Sequence, residues 1–297
     1  MRHTRILILV AMLGPATLAA GVSTAEARTT DRAKPIIYVH GFLLSGASNC
    51  NQWQPMAATL ASLGHSGPHT TLAYYTGDAN CSHALDHHGR HDLHYPSGHR
   101  DGSHTQATSI RHLGYHLAWM IYDHYTVNGQ PVDIVAHSMG GLAVRYALAQ
   151  TQRGHPDFPP RLLVEDIVTL GTPHAGTTWA RSCSSTQCAE MVPGSSLLAW
   201  LAANAQNPQG ADGSDWTTVG SYYDAIVSAN SAVAMAAAHQ TQYLPGMQIE
   251  HSDYYTDTSG AQNADVRYRN APSSWRYWFS APHVVRWADK ALVEPSW

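Results

Sequence analysis

Charge is scarce in this chain, and basic charge is not in excess. Charged residues make up 13% of the 297 positions, with Lys+Arg 17 against Asp+Glu 21 and a formal net charge of -4. A chain without a positive excess lacks the main attraction to a phosphate backbone, and no nucleic-acid-binding motif occurs, so no nucleic-acid partner is expected. Also missing is any C-x-x-C pair of the kind a zinc ribbon needs. There is no internal repeat and no second domain boundary. Beyond the N-terminus no apolar run is long enough to cross a bilayer. What is present is 44% hydrophobic residues, which together with low charge argues for a packed globule and against disorder. The length suffices for one large domain with a deep core.

The first residues carry a targeting pattern. Met1-Arg2-His3-Thr4-Arg5 is a short basic start, Ile6 to Gly21 an apolar run broken by Gly14 and Pro15, and Ala25-Glu26-Ala27 a small-x-small exit. Residues 1–27 therefore read as a cleaved signal peptide, leaving a secreted, extracellular chain of residues 28–297. A membrane anchor is the alternative, disfavoured by the short apolar stretch. Four cysteines follow, Cys50, Cys81, Cys183 and Cys188. An even count in a secreted chain suggests two disulfides, with three formal connectivities. Proximity favours Cys183 with Cys188, leaving Cys50 for Cys81.

Strand and helix patterns alternate. Lys34 to Val39, Thr70 to Tyr75, Val132 to Val135, Val164 to Leu170 and Trp216 to Gly220 read as buried strands, with weaker ones at Met247 to Glu250 and Val266 to Arg269. Ile110, Leu113, Leu117 and Met120/Ile121 recur at helical spacing, with Thr105 or Thr108 as caps. Helices are also expected over Leu142 to Gln150 and His283 to Leu292. The alternation implies an α/β fold, a mostly parallel central sheet with helices on both faces.

The strand Val132–Val135 runs into Ala136-His137-Ser138-Met139-Gly140-Gly141, and a helix follows. A serine hydroxyl is a weak nucleophile until a sharp strand-to-helix turn exposes it beside a base. Such a turn needs small residues two positions either side of the serine. Here they are Ala136 and Gly140, so the first departs from the usual glycine. Ser138 is the candidate nucleophile. The amide of Met139, the next residue, lies at a helix N-terminus and is the first candidate oxyanion donor.

On these residues, and on His40-Gly41-Phe42, Gly171-Thr172-Pro173-His174-Ala175-Gly176 and Met191-Val192-Pro193-Gly194-Ser195, the chain resembles bacterial secreted lipases and esterases of the α/β-hydrolase superfamily, over roughly residues 35 to 225. The resemblance implies an α/β-hydrolase fold and a secreted serine ester hydrolase, a triacylglycerol lipase or carboxylesterase working through a Ser-His-Asp acyl-enzyme mechanism. It makes Phe42 the second oxyanion donor and gives Thr172-Pro173-His174 a structural place in the site wall. The acid must follow the serine and precede the histidine in chain order. Asp224, just past the strand around Thr217 to Gly220, is the candidate, ahead of Asp212, Asp215, Asp253 and Asp257. Two histidines fit as base. His283, before the last helix, is where the family usually carries it and is preferred; His251 is the alternative.

The reaction needs no cofactor and no metal. Its partner is a lipid or small ester substrate, with transient contact at a lipid interface and a monomeric chain expected. Residues 177–215 sit where many lipases carry a lid or cap. Leu197, Leu198, Trp200 and Leu201 could face an acyl chain or pack on the core. The histidines His83, His87, His88, His91, His94, His99 and His104 read as solvated loop residues rather than metal ligands, since Gly89, Pro96, Gly98 and Gly102 interrupt any helix. Other readings stay open: an acyltransferase or polyester depolymerase on the same residues, or a non-catalytic metal-binding protein on the same scaffold.

Overall fold

The computed structural model describes residues 31–85 and 104–296. The signal-peptide reading and the histidines from His87 to His99 lie outside those residues. The elements run β1 (Ile36–Val39), α1 (Gln54–Ser62), β2 (His69–Ala73), β3 (His83–Ala84), α2 (Ile110–His124), β4 (Val132–His137), α3 (Met139–Gln152), β5 (Val164–Leu170), α4 (Thr186–Met191), α5 (Ser196–Asn204), β6 (Asp215–Ser221), α6 (Ala229–Ala232), β7 (His239–Tyr243), β8 (Ala264–Asn270), β9 (Arg276–Ala281) and α7 (Val284–Val293). One sheet holds them in the order β3-β2-β1-β4-β5-β6-β7-β8-β9. It is parallel from β3 through β7, and β8 and β9 add antiparallel. This is the expected α/β-hydrolase arrangement.

Strand β1 is apolar on both faces because helices cover both. In β1, Ile37 and Val39 point into one core, and Ile36 and Tyr38 into the other. The first core takes buried residues of α2, α3 and α5; the second takes those of α1 and α7. Alternate side chains of a strand face opposite ways, so a strand covered on both faces buries every position, with apolar residues or with polar ones whose hydrogen bonds are met inside. Burial of these side chains is worth roughly 1.5–3 kcal/mol each before conformational entropy is counted.

Several expectations shift in detail. Helix α2 is capped by Ser109, whose hydroxyl accepts from the His112 amide at 3.1 Å, rather than by Thr105 or Thr108. Met247 to Glu250 is not a strand: Pro245–Met247 forms a 3-10 turn, and the strand of this region is β7, a few residues earlier. Strand β9 was not expected either. Helix α5 sends Leu197, Leu198 and Leu201 into the first core, with Trp200 packed against Tyr146, so this part of the 177–215 segment is a packed helix. The disulfides join Cys50 to Cys81 and Cys183 to Cys188. Among the described residues no helix is long and apolar enough to cross a membrane.

Candidate active site

Ser138 sits on the bend between β4 and α3 with φ 53° and ψ -131°. A residue with a Cβ adopts this backbone only where its surroundings force it, at a cost of order 1–3 kcal/mol. The forcing is visible on three sides. The Ser138 amide donates to the Leu170 carbonyl at 2.8 Å, tying the bend to the end of β5. A Cβ on Gly140 would meet the His40 carbonyl oxygen at 2.5 Å, and one on Gly141 would meet Thr172 Oγ1 at 2.2 Å. Helix α3 can start here only because those positions are bare. Ala136, the departure from glycine, is fully buried in the ladder between β1 and β5, where its methyl is accommodated.

The segment His40-Gly41-Phe42 passes directly beside the serine. A Cβ on Gly41 would lie 2.6 Å from Ser138 Cβ. Buried Asp78 anchors this segment: one carboxylate oxygen accepts from the amides of Tyr74 (2.8 Å) and Tyr75 (2.9 Å) and pairs with His40 Nε2 at 3.0 Å, and the other accepts from the Ser48 amide. Burial pushes the Asp78 pKa up, but the hydrogen bonds and charge of His40 and the two amides outweigh it and hold it below the usual carboxylate range. The Tyr74 hydroxyl donates to the carbonyls of His40 and Gly41. The carbonyls are thereby turned toward Tyr74. Neither the Phe42 nor the Met139 amide donates to another group among the described residues.

His251 bridges the rest. Its Nε2 lies 2.9 Å from Ser138 Oγ and its Nδ1 2.8 Å from Asp224 Oδ2. A carboxylate oxygen can only accept, so Nδ1 carries the proton and Nε2 offers its lone pair to the serine hydroxyl. Asp224 follows β6 and its side chain is fully buried. Its second oxygen accepts from the amides of Ile226 (2.8 Å) and Val227 (2.9 Å), and Tyr254 donates to Oδ2 at 3.3 Å. Burial, then the charge of Asp224, raises the Tyr254 pKa well above its ordinary value, so this phenol stays a donor.

His137 supports the imidazole from below. Its Nε2 donates to the His251 carbonyl at 2.8 Å, and the two rings sit 4.6 Å apart. Burial and the neighbouring His251 push the His137 pKa well below its ordinary value, so the ring is neutral.

Of the residues expected at the site, Ser138, Asp224, Phe42 and Met139 come together; His283 does not. It stands at the N-terminus of α7, with Nδ1 2.8 Å from Asp257 and Nε2 2.8 Å from Asn263. The physical reason is topological. Strands β8 and β9 extend the sheet beyond β7 before the chain reaches His283, and each adds roughly 4.8 Å of width. The loop after β7 delivers His251 instead. His174 is buried, hydrogen-bonded to Thr169 at 3.1 Å, and held neutral by burial and Arg145. Asp78, Tyr74, His137 and Tyr254 were not singled out in the sequence. Each acts through contacts far apart along the chain, which no local motif encodes.

A cleft of about 190 Å³ opens on the serine, walled by Phe42, Leu43, Leu44, Trp179, Met191, Ile226 and Val227, with Ser138 and His251 at its polar end. Trp179 meets Phe42 edge-on, their rings 6.0 Å apart.

Residues 30–202, more than half of the chain, match the model of the family described as "Putative serine esterase (DUF676)". The chain belongs to this serine esterase family. Among solved structures it is similar to the mature lipase BlEst2 of Bacillus licheniformis at 16% identity, over 77% of this chain and 89% of that one, with TM-score 0.48. It is also similar to lipase B of Aspergillus fumigatus (13% identity, 77% and 52% covered, TM-score 0.49). A lipase-esterase related protein of Clostridium acetobutylicum is a third (10% identity, 78% and 93% covered, TM-score 0.47). No curated protein sequence matches the chain.

Proposed function

We propose that this esterase-family chain is a secreted carboxylic ester hydrolase in which Ser138, His251 and Asp224 perform two-step acyl transfer. One observation carries the reading: a single imidazole joins a strained, partly accessible serine hydroxyl to a buried carboxylate at the end of an apolar cleft. His251 Nε2 takes the hydroxyl proton as Ser138 Oγ attacks the ester carbonyl. The resulting oxyanion is held by the amides of Phe42 and Met139, each such donor being worth roughly 3 kcal/mol in transition-state stabilisation. The imidazolium gives its proton to the departing alcohol, and water repeats the steps to release the acid. Asp224 stabilises the imidazolium while remaining ionised.

The cleft is lined by apolar side chains and is smaller than the roughly 300–1,000 Å³ of sites for drug-sized ligands. It suits a short acyl chain, and the leaving alcohol would lie outside it. The N-terminal targeting pattern and the two disulfides support secretion.

The test is a chain-length series of p-nitrophenyl esters together with a fluorophosphonate probe. Turnover should be highest with short acyl groups, and the probe should add one label, at Ser138. An unlabelled Ser138 in folded protein would remove the proposal.

A further inference from the structure

Three histidines outside the ester site converge beneath the surface. His104, His112 and His116 are 1%, 3% and 0% exposed. Ring centroids stand 4.5 Å apart for His112 and His116, 4.7 Å for His104 and His116, and 5.1 Å for His104 and His112. One ring nitrogen from each lies within 4.8 Å of the others, and the Nε2 atoms of His112 and His116 are 2.9 Å apart.

Rigid backbone presents all three. His112 and His116 are four residues apart on α2, the spacing that stacks two side chains on one helix face. His104 lies just before that helix. Its carbonyl accepts from the Thr76 amide at 3.0 Å, in the turn that follows β2. The turn that follows is fixed by Thr108 N to Thr105 O (2.9 Å) and Thr105 N to Thr108 Oγ1 (3.0 Å).

We propose that His104, His112 and His116 bind one divalent transition-metal ion, zinc foremost, and that this ion stabilises the fold. A tetrahedral zinc ion at roughly 2.0–2.1 Å from its imidazole nitrogens separates those nitrogens by about 3.3 Å. The Nε2 atoms of His112 and His116, at 2.9 Å, stand slightly closer than that, and all three nitrogens fall within 4.8 Å, so modest ring movements would bring them onto one ion. Imidazole nitrogens suit zinc, copper and nickel and disfavour calcium and magnesium. Between the two Nε2 atoms only one carries a proton in the metal-free pair. On binding, that ring shifts its proton to Nδ1, both Nε2 lone pairs face the metal, and no net proton is released.

A cavity of about 210 Å³ lies against His104, lined also by Tyr74, Tyr75, Thr76 and Asp78. It offers room for a solvent molecule as fourth ligand. The ester site uses none of the three histidines, so ester turnover should not depend on the metal.

The sequence contains a second source of imidazoles, in the segment holding His87, His88, His91, His94 and His99. The experiment therefore uses the full secreted chain with those five changed to Asn, stripped with chelator and titrated with Zn2+ and Co2+. One tight equivalent is expected. Zinc at roughly 100 times its Kd should raise Tm by about 5–10 °C. Cobalt should give the intense visible bands of a tetrahedral site. His112→Asn, His116→Asn and, outside the helix, His104→Gln should each weaken binding at least tenfold. The rate on p-nitrophenyl esters should stay within twofold between stripped and loaded protein. An absent equivalent, an unmoved Tm, or an equivalent that survives these three substitutions would overturn the proposal and leave a hydrogen-bonded histidine stack. The parent chain alone decides the Tm question even if a variant fails to fold.

Discussion

His251 Nε2 and Ser138 Oγ lie 2.9 Å apart across 113 residues of chain. This contact makes the first prediction specific. Ser138→Ala and His251→Ala should each lower kcat/KM by at least ~10⁴-fold, because the two groups act as a unit. His283→Ala should keep near-normal turnover and lose only stability, through its bonds to Asp257 and Asn263. Asp224→Asn should fold but lose roughly 10³–10⁴-fold in kcat, since an amide can hold the wrong imidazole tautomer. Steady-state kinetics on one short ester compares all four. A dead His283→Ala beside an active His251→Ala would reverse the assignment of the base.

Gly41 tests how closely the β1 end must approach the nucleophile. A methyl at this position falls 2.6 Å from Ser138 Cβ. Gly41→Ala should therefore cost at least ~100-fold in kcat by displacing the serine or the Phe42 amide, a misplacement of about 1 Å being enough for such a loss. Gly246→Ala, where nothing lies within 4 Å of the added methyl, serves as the control and should match wild type. Equal losses in the two variants would show that the tight approach does not matter.

Trp179 closes one side of the cleft that opens on Ser138. Trp179→Ala should enlarge it and move the preferred p-nitrophenyl ester toward longer acyl chains, lowering kcat/KM on the shortest by a few-fold to roughly 100-fold, the range for lost apolar contact in a pocket. An unchanged chain-length profile would place the acyl group elsewhere.

Acid should destabilise the protein through its buried neutral histidines. Burial, then Arg145, pushes the His174 pKa well below the ordinary value of 6.5. Above that value neither folded nor unfolded chain is protonated here, and the group is neutral to stability. As pH falls below 6.5 the unfolded chain takes up the proton and the folded one does not, so folding loses about 1.4 kcal/mol per pH unit until the folded value is reached. His174→Gln should remove the share of this slope that belongs to His174 and leave that of His137. Urea unfolding at pH 7.5, 6.0 and 5.0 measures it, and identical slopes in wild type and variant would refute the assignment.

Much of the central sheet was legible because buried parallel strands spell themselves out in apolar residues. Val164 to Leu170 reads as a strand from its sequence and is one, residue for residue. Strand β7, His-Gln-Thr-Gln-Tyr, is equally buried yet nearly all polar. Its Gln240 side-chain amide donates to the carbonyls of Val233 and Met235, and Arg267 donates to Gln242, so the polar groups are satisfied sideways. A hydropathy pattern cannot register such pairing. Missing β7 shifted the following loop, and with it the standing of His251. Ser138, Met139, Phe42 and Asp224 were findable because each lies at the end of a recognisable strand or at its turn. The choice of imidazole depended on how many strands the sheet adds before its last helix, which is a property of the edge rather than of any motif.

The hydrogen bond from His137 to the His251 carbonyl has a mechanical meaning. His137, next to Ser138 in the chain, grips the backbone of the loop that carries the His251 imidazole. One tether thus joins the chain segments that carry the hydroxyl and the imidazole, and a shift of either segment is passed to the other.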